Sequence, residues 1–518
     1  SYYVFSQLRE ELNLPSGFTM EQARMVLGIR YELSLRRASG YTDYTLVEDL
    51  DTAFISVVTD GNYAGAEISQ STVREYETTA AAHILGLVGP LYPEDLENPF
   101  YDDYPQNATV GKSGVEAAFE EYLRGKNGRR VISTNSEGKI TGQYYATEPE
   151  PGSTVELTID LELQQTVEAI LAEAVTAMNK DGLTDRGAAA VVELVDSGEL
   201  LALANYPTYD LSTYRQDYTE LSEDPAHPLY NRATSTPYAP GSTIKPLTAV
   251  AALEEGIVSP TDKIYSPYTW RYPGDPNSYS NCAGGSHGWI NVSQAITKSC
   301  NYFFSGMGYQ LGMDNLREYL SAFGLGAHTG IETGDNTGTL PENRPGEDQA
   351  PWAGYGQANQ AYTPLQLANY ICTLVSGGVR REPHLLKAVK SYDNSQVLAV
   401  GNTEPVQTLE LHDATLEAVK KGMYGYTQPG GSVAAYFQNC VVTAGAKTGT
   451  SQLGGDQKDN GVFVCFAPYD DPEIVVSIVI EHAGSGAALA PSAVKILNAY
   501  FSADNVSGSI TGENQLLP

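Results

Sequence analysis

A hydroxyl three residues ahead of an amine is the simplest pairing in this chain that could do covalent chemistry. It occurs in Pro240-Gly241-Ser242-Thr243-Ile244-Lys245, where a Pro-Gly turn feeds a helix whose apolar face is Ile244, Leu247, Ala251 and Leu253 and which ends at Gly256. Residues three apart share a helix face, so Ser242 and Lys245 come within reach of each other. The unpaired N–H groups of a helix N-terminus favour negative charge developing on the serine and on whatever it attacks. A lysine partly withdrawn from water has a lowered pKa and can serve as general base for the serine, with no histidine required. Pro246 is tolerated in the first turn. The spacing alone is weak, because Ser-x-x-Lys is expected roughly once by chance in a chain of this size. Ser492-Ala493-Val494-Lys495 is such a second copy, in a terminal helix with nothing downstream to serve it.

Two further motifs follow in order. Ser299-Cys300-Asn301, ahead of Tyr302-Phe303-Phe304, sets a hydroxyl and a carboxamide on either side of one residue, a pair suited to relaying a proton and orienting an amide. Ser133-Thr134-Asn135 has the same form, so this motif too is weak by itself. Lys447-Thr448-Gly449-Thr450 comes directly before a strand pair. On an edge strand Lys447 would supply positive charge, Thr448 and Thr450 hydroxyl donors, and Gly449 the room for a peptide backbone to approach. That suits a carboxylate-ended peptide. A competing Lys112-Ser113-Gly114 lies in a loop upstream of the serine. The specific signal is the order of all three motifs, at domain-scale separations, within one folding unit.

The elements that must position them are readable. Thr19 and Gln22 form a capping box ahead of Ala23, Val26, Leu27 and Arg30. An amphipathic helix is predicted from Val115 to Leu123, ended by Gly125, and the Pro- and Glu-rich stretch 147–152 reads as a boundary. Thr154 to Ile159 alternates as a strand, Asp160 is an N-cap, and Leu163, Val167, Ile170, Leu171 and Ala174 line one helix face. Ala188 to Val195 and Glu199 to Ala204 flank the turn residues Asp196-Ser197-Gly198, and Gly461 to Ala467 and Glu473 to Glu481 flank Asp470-Asp471-Pro472. A helix at about Ser492 to Phe501 closes the series. Two hairpins sharing one antiparallel sheet, with helices between and after them, make an α+β domain. The expected organisation is a smaller mixed domain over 1–150, the chemistry-bearing domain over 151–505 and a polar tail over 506–518.

Composition narrows the partners. With 63 acidic against 31 basic residues in 518, the formal charge of −32 repels phosphate backbones, which argues against nucleic acid. A 42% hydrophobic and 18% charged chain folds rather than staying disordered. No run approaches the ~18 apolar residues of a membrane span. The chain opens on Ser1 rather than Met, which leaves room for an amino-terminal anchor outside it. Five cysteines are too few and odd in number for a disulfide framework. Cys282 and His287 share a Gly-rich loop where zinc could be held, with Asp275 and Cys300 as conceivable further ligands. Two ligands on a loop are more often only a loop, so the expectation is chemistry without a cofactor.

The ordered triple resembles that of serine β-lactamases and penicillin-binding proteins, whose second member is Ser-Asp-Asn. Over about residues 70–500 the chain resembles a class B penicillin-binding protein, the monofunctional peptidoglycan D,D-transpeptidase. Gly152 to Asp160 with Leu163-Gln164, Ala188 to Ala204 with Tyr206-Pro207, Asn231-Arg232-Ala233 with Tyr238, and Gly356-Gln357 with Thr363 to Ala368 resemble its catalytic domain. Arg74-Glu75-Tyr76, Ala82 to Gly86 and Leu123-Arg124-Gly125 resemble its non-catalytic, dimerisation-like pedestal. Ile244 stands where the family often has Phe, a conservative change. The resemblance implies a β-lactamase/transpeptidase-like fold on a mixed α/β pedestal, with Ser242, Lys245, Ser299, Asn301 and Lys447 catalytic. It implies Thr448, Gly449 and Thr450 as substrate-binding, and an oxyanion hole from the N–H groups of Ser242 and Thr450. Stem peptides and β-lactams are the implied ligands and a membrane glycosyltransferase the implied partner. The implied setting is the outer face of the cytoplasmic membrane, reached through a membrane helix that, with the family's Arg-Gly…Asp-Arg strand, is not in this sequence. Tyr362 to Ala368 with Leu316 to Gly330 resembles the elongation type more than the septal one. Rival readings are a D,D-carboxypeptidase or β-lactamase-type hydrolase, which the 150 residues ahead of the catalytic part disfavour, and a non-catalytic β-lactam sensor or wall scaffold.

Overall fold

The computed structural model describes residues 2–15, 17–38, 44–47, 50–61, 63, 66, 68, 74–92, 94–104, 108–134, 140–453 and 458–507. The chain divides into two compact units, Ser1–Arg74 and Glu75–Pro518. In the first, helices span Tyr2–Glu11, Met20–Ala38 and Thr52–Gly61. The second of these starts at the capping box read from sequence: Gln22 N–H donates to Thr19 Oγ1 at 3.3 Å and Thr19 N–H to Gln22 Oε1 at 3.1 Å. Ala23 and Leu27 bury against Leu14.

The second unit is built on a five-stranded antiparallel sheet. Its elements in chain order include β1 (Thr154–Leu157), α1 (Leu161–Met178), β2 (Ala188–Leu194), β3 (Leu200–Tyr206), α2 (Lys245–Glu254), β4 (Asp275–Asn281), α3 (Asn301–Ala322), α4 (Pro364–Val375), α5 (Asp413–Thr427), β5 (Gly445–Ser451), β6 (Asn460–Ala467), β7 (Ile474–Ile480) and α6 (Ala490–Ser507). The sheet order is β5-β6-β7-β2-β3, so the two hairpins read from sequence join where β7 pairs with β2, Ile474 facing Leu194 and Ile480 facing Ala188. Both faces are covered. Ala188, Ala190, Val192, Phe463 and Val476 pack with Leu163, Val167 and Leu171 of α1 and Ala493 and Leu497 of α6. Ala189, Val191, Val464 and Val475 pack with Leu367 and Ile371 of α4 on the opposite side. That is the period-2 alternation of a strand carried through a sheet apolar on both sides. β5 and β3 are the two edges of the sheet.

Asp160 caps α1 as expected, accepting Leu163 N–H at 3.0 Å. The helix expected over Val115 to Leu123 is two short ones, Gly114–Ala118 and Glu120–Leu123, because the chain steps at buried Phe119 while the Glu120 carboxylate accepts Gly111 N–H at 2.8 Å. The edge expected near residue 150 falls inside the second unit. Ala81, Ile84, Val115 and Phe119 belong to the same core as Ile244, Leu247 and Phe303. Ala81 N–H donates to Glu168 Oε1 at 2.8 Å, and Ser153 N–H to Tyr122 O at 2.7 Å.

The approach to Ser242 is fixed by a charge cluster around the buried Arg232. Arg232, 3% exposed, donates from Nε to Glu481 Oε1 at 3.2 Å and through its other nitrogens to Ala226 O and His227 O at 2.7 and 3.0 Å. Glu481, just past β7, also accepts from Tyr238 O–H at 2.8 Å and Gly187 N–H at 2.9 Å. Arg232→Ala removes the partner of two carbonyls and of a carboxylate that is 19% exposed. It should destabilise the protein by about 3–5 kcal/mol in denaturant titration, whereas a loss under ~1 kcal/mol, the range of a surface pair, would show that water reaches the cluster.

Candidate active site

Three elements converge on one groove. Ser242 sits in a tight turn, Gly241–Ile244, leading into α2, and it is half-exposed while Lys245 is fully buried one turn on. The turn is clamped between the edge strand and the Tyr355–Gly356 loop. Gly241 N–H donates to Gly356 O at 3.1 Å. A Cβ on Gly356 (φ +92°) would lie 1.7 Å from Gly241 O, and one on Gly449 would lie 2.1 Å from Pro240 O. No side chain fits at either crossing. Tyr370 O–H from α4 donates to Thr243 O, and Tyr238 and Tyr362 exchange backbone bonds at 2.8 Å, which holds the turn from behind.

Ser299 lies between a short helix, Val292–Thr297, and α3, in the left-handed region at φ +50°. Its carbonyl accepts from Lys245 Nζ at 2.8 Å and its Oγ at 3.2 Å. Asn301 Oδ1 accepts from the same Nζ at 2.6 Å, and its Nδ2 donates to Asn281 O at the end of β4 at 2.8 Å, which fixes which way the carboxamide points. From β5, Lys447 Nζ donates to the same Ser299 Oγ at 2.9 Å. The strand alternates in burial: Lys447 and Gly449 are buried, Thr448 and Thr450 half-exposed.

Two wholly buried lysines thus share one hydroxyl, and no carboxylate is among the groups acting on either. Burial disfavours an ammonium, and a neighbouring cation disfavours it further. Desolvation first, then the charge of Lys447, hold Lys245 well below the usual lysine range. Desolvation pushes Lys447 down to about 7. Lys245 is therefore an amine whose protonation is disfavoured; its hydrogen bonds go to Ser299 and Asn301 and, among the described residues, not to Ser242, while Ser299 Oγ bridges the two nitrogens.

The competing motif copies are elsewhere and otherwise engaged. Lys495 pairs with Glu173 at 2.6 Å on the surface, while Ser492 is buried. Lys112 pairs with Asp95 and Ser113 Oγ accepts Leu87 N–H at 3.2 Å. Ser133 and Thr134 lie on a strand, and Asn135 is outside the described residues. Of the four metal candidates, Cys282, His287 and Cys300 have ligand atoms within 4.8 Å of one another. The two sulfurs are 3.5 Å apart, and His287 Nδ1 is buried without a hydrogen-bond partner among the described residues. A hydrogen bond from Cys300 lowers the Cys282 thiol, while that bond and burial raise Cys300. Asp275 does not join them. It is exposed at the far end of β4 from Asn281, its carboxylate capping Asn277 N–H at 3.0 Å.

Sequence reasoning missed Asn281, which acts through a backbone carbonyl that no residue type announces. It also missed the role of Gly356, whose signal is only a glycine beside Gln357.

The Penicillin binding protein transpeptidase domain matches residues 188–500 and the Penicillin-binding Protein dimerisation domain residues 3–157. The chain belongs to the penicillin-binding protein transpeptidase family. It is similar to the peptidoglycan D,D-transpeptidase MrdA of Escherichia coli (strain K12), 30% identical over 86% of this chain and 73% of that protein. Its structure is similar to crystalline Pseudomonas aeruginosa PBP2 in complex with WCK 5153, at 28% identity and TM-score 0.71 over 83% of this chain and 90% of that one. It is also similar to a chain of a peptidoglycan synthase complex coordinating polymerization and crosslinking, at 26% identity and TM-score 0.73 over 94% and 86%.

The lysine pair sets the pH dependence. Acylation of Ser242 should rise with pH as Lys245 gives up its proton, and fall again above about pH 7 as Lys447 loses its charge. Lys245→Arg, which stays protonated, should lower the rate by about 10²-fold or more. Acylation rates with penicillin across pH, for both proteins, check this. An acidic limb that survives in Lys245→Arg would assign it to another group.

Proposed function

We propose that this protein is a peptidoglycan D,D-transpeptidase whose covalent step runs through Ser242. The reading is carried by the meeting of Lys245 Nζ and Lys447 Nζ on one Ser299 hydroxyl, at 3.2 and 2.9 Å, beside the turn that bears Ser242. Ser242 Oγ attacks the carbonyl carbon of the penultimate D-alanine of a stem peptide while Lys245 takes its proton. The backbone N–H groups of Ser242 and Thr450 hold the oxyanion, and Lys447, Thr448 and Thr450 hold the terminal carboxylate, with Gly449 letting the peptide close onto β5. As the C–N bond breaks, Ser299, held with the help of Asn301, passes a proton to the departing D-alanine. The amine of a neighbouring stem then displaces Ser242, re-forming a peptide bond and the free hydroxyl.

A β-lactam enters by the same route and stalls as the ester. The working setting is the outer face of the cytoplasmic membrane beside a membrane glycosyltransferase. Similarity to a chain of a synthase that couples polymerization to crosslinking supports the partner. Among the described residues no helix is long and apolar enough to cross a membrane. Residues 151–505 carry the chemistry and 1–150 act as pedestal. Similarity to MrdA and the segment Tyr362 to Ala368 favour the elongation type.

Intact-mass spectrometry with benzylpenicillin should give a single adduct on the Ser242 peptide that persists for many minutes and is absent in Ser242→Ala. Labelling of Ser242→Ala would overturn the assignment, and rapid release of the wild-type adduct would mark a hydrolase instead.

A zinc ion at Cys282, His287 and Cys300 is part of the same reading, supported by the clustered donors and the unpartnered His287 nitrogen. It would act as a staple that holds the loop of Cys282 to the start of α3, where Ser299 and Asn301 lie. Metal analysis of the purified protein should find about one zinc per chain, lost in Cys300→Ser. Its absence from wild-type protein refolded with zinc would leave the cluster as buried thiols only.

A further inference from the structure

Lys447 must meet a carboxylate with its charge on, yet it is fully buried and no acidic side chain acts on it. Beside it stands an aromatic ring. Lys447 Nζ lies 4.3 Å from the ring centroid of Tyr426, and the hydroxyl of that tyrosine lies 2.5 Å from Thr448 Oγ1. One side chain therefore touches both donor-bearing groups of the strand, the cation through its face and the hydroxyl through its tip.

Tyr426 is well anchored for that task. It comes from the last turn of α5, is 3% exposed, and packs among the residues under the sheet. The next residue fastens this turn to the strand, Thr427 Oγ1 donating to Ala444 O at 2.6 Å immediately before β5. An ammonium withdrawn from water is stabilised over an aromatic face. A hydrogen bond to the hydroxyl of a β-branched residue selects one of its few rotamers.

We propose that Tyr426 is a positioning and specificity-determining residue for the terminal carboxylate of the acyl donor. Its ring face holds the Lys447 ammonium at the groove, and its hydroxyl, hydrogen-bonded to Thr448 Oγ1, fixes the rotamer in which the threonine meets the carboxylate. This rests on the reading of β5 as the carboxylate-binding strand. Nothing in the sequence around Tyr426 marks it, because its partners are brought to it by the fold.

The test compares second-order acylation by benzylpenicillin and by its methyl ester, which lacks the carboxylate charge, in wild type, Tyr426→Phe and Tyr426→Leu, with melting curves for each. Wild type should react much faster with the acid than with the ester. Tyr426→Phe keeps the ring and loses the hydroxyl, and should slow the acid about 5-fold. Tyr426→Leu loses both and should slow it about 10- to 30-fold. The ester rate should change less than about two-fold in both. Equal slowing of acid and ester, or no change in either, would overturn the role of Tyr426. If the wild type does not distinguish acid from ester, the strand reading itself fails, and the proposal falls with it. Tyr426→Phe preserves the packing, so the comparison holds if Tyr426→Leu does not fold.

Discussion

Two amines buried against a single hydroxyl, without a carboxylate to balance them, form the constraint on which the site depends. In water such a pair would be two solvated cations. Here desolvation disfavours the charge on both, and the charge of Lys447 lowers Lys245 further. Ser299 can bridge them only because its backbone takes a left-handed conformation between two helices and so turns its carbonyl and its hydroxyl toward Lys245 together. The fold serves that arrangement. A sheet apolar on both faces gives a rigid edge, α2 delivers the serine and its lysine from one side, and α3 delivers the asparagine from another.

Much of this could be read from residue order. The four hairpin strands were legible to within a residue or two, since their runs of Val, Ile and Ala are bounded by Asp-Ser-Gly and Asp-Asp-Pro turns. The caps at Thr19 and Asp160 were legible for the same reason: a local hydrogen bond decides them. The motif triple was legible because the chemistry constrains residue type.

What was not legible depends on contacts distant in sequence. That Ala81, Ile84, Val115 and Phe119 pack into the core of the segment bearing Ser242, although they lie ahead of the stretch 147–152, could not be read from sequence, because a Pro-rich linker says nothing of what packs on either side of it. The step at Phe119 belongs to a carboxylate reaching back to Gly111. Asp275 looked like a ligand because it is close in sequence to Cys282, but an extended strand carries neighbours apart at about 3.3 Å per residue. Tyr426 had no signal at all.

The glycine crossings around the serine turn bear on how such a protein can change. Backbone meets backbone there with no slack, so those positions admit no gradual substitution, and the reacting centre is frozen against drift.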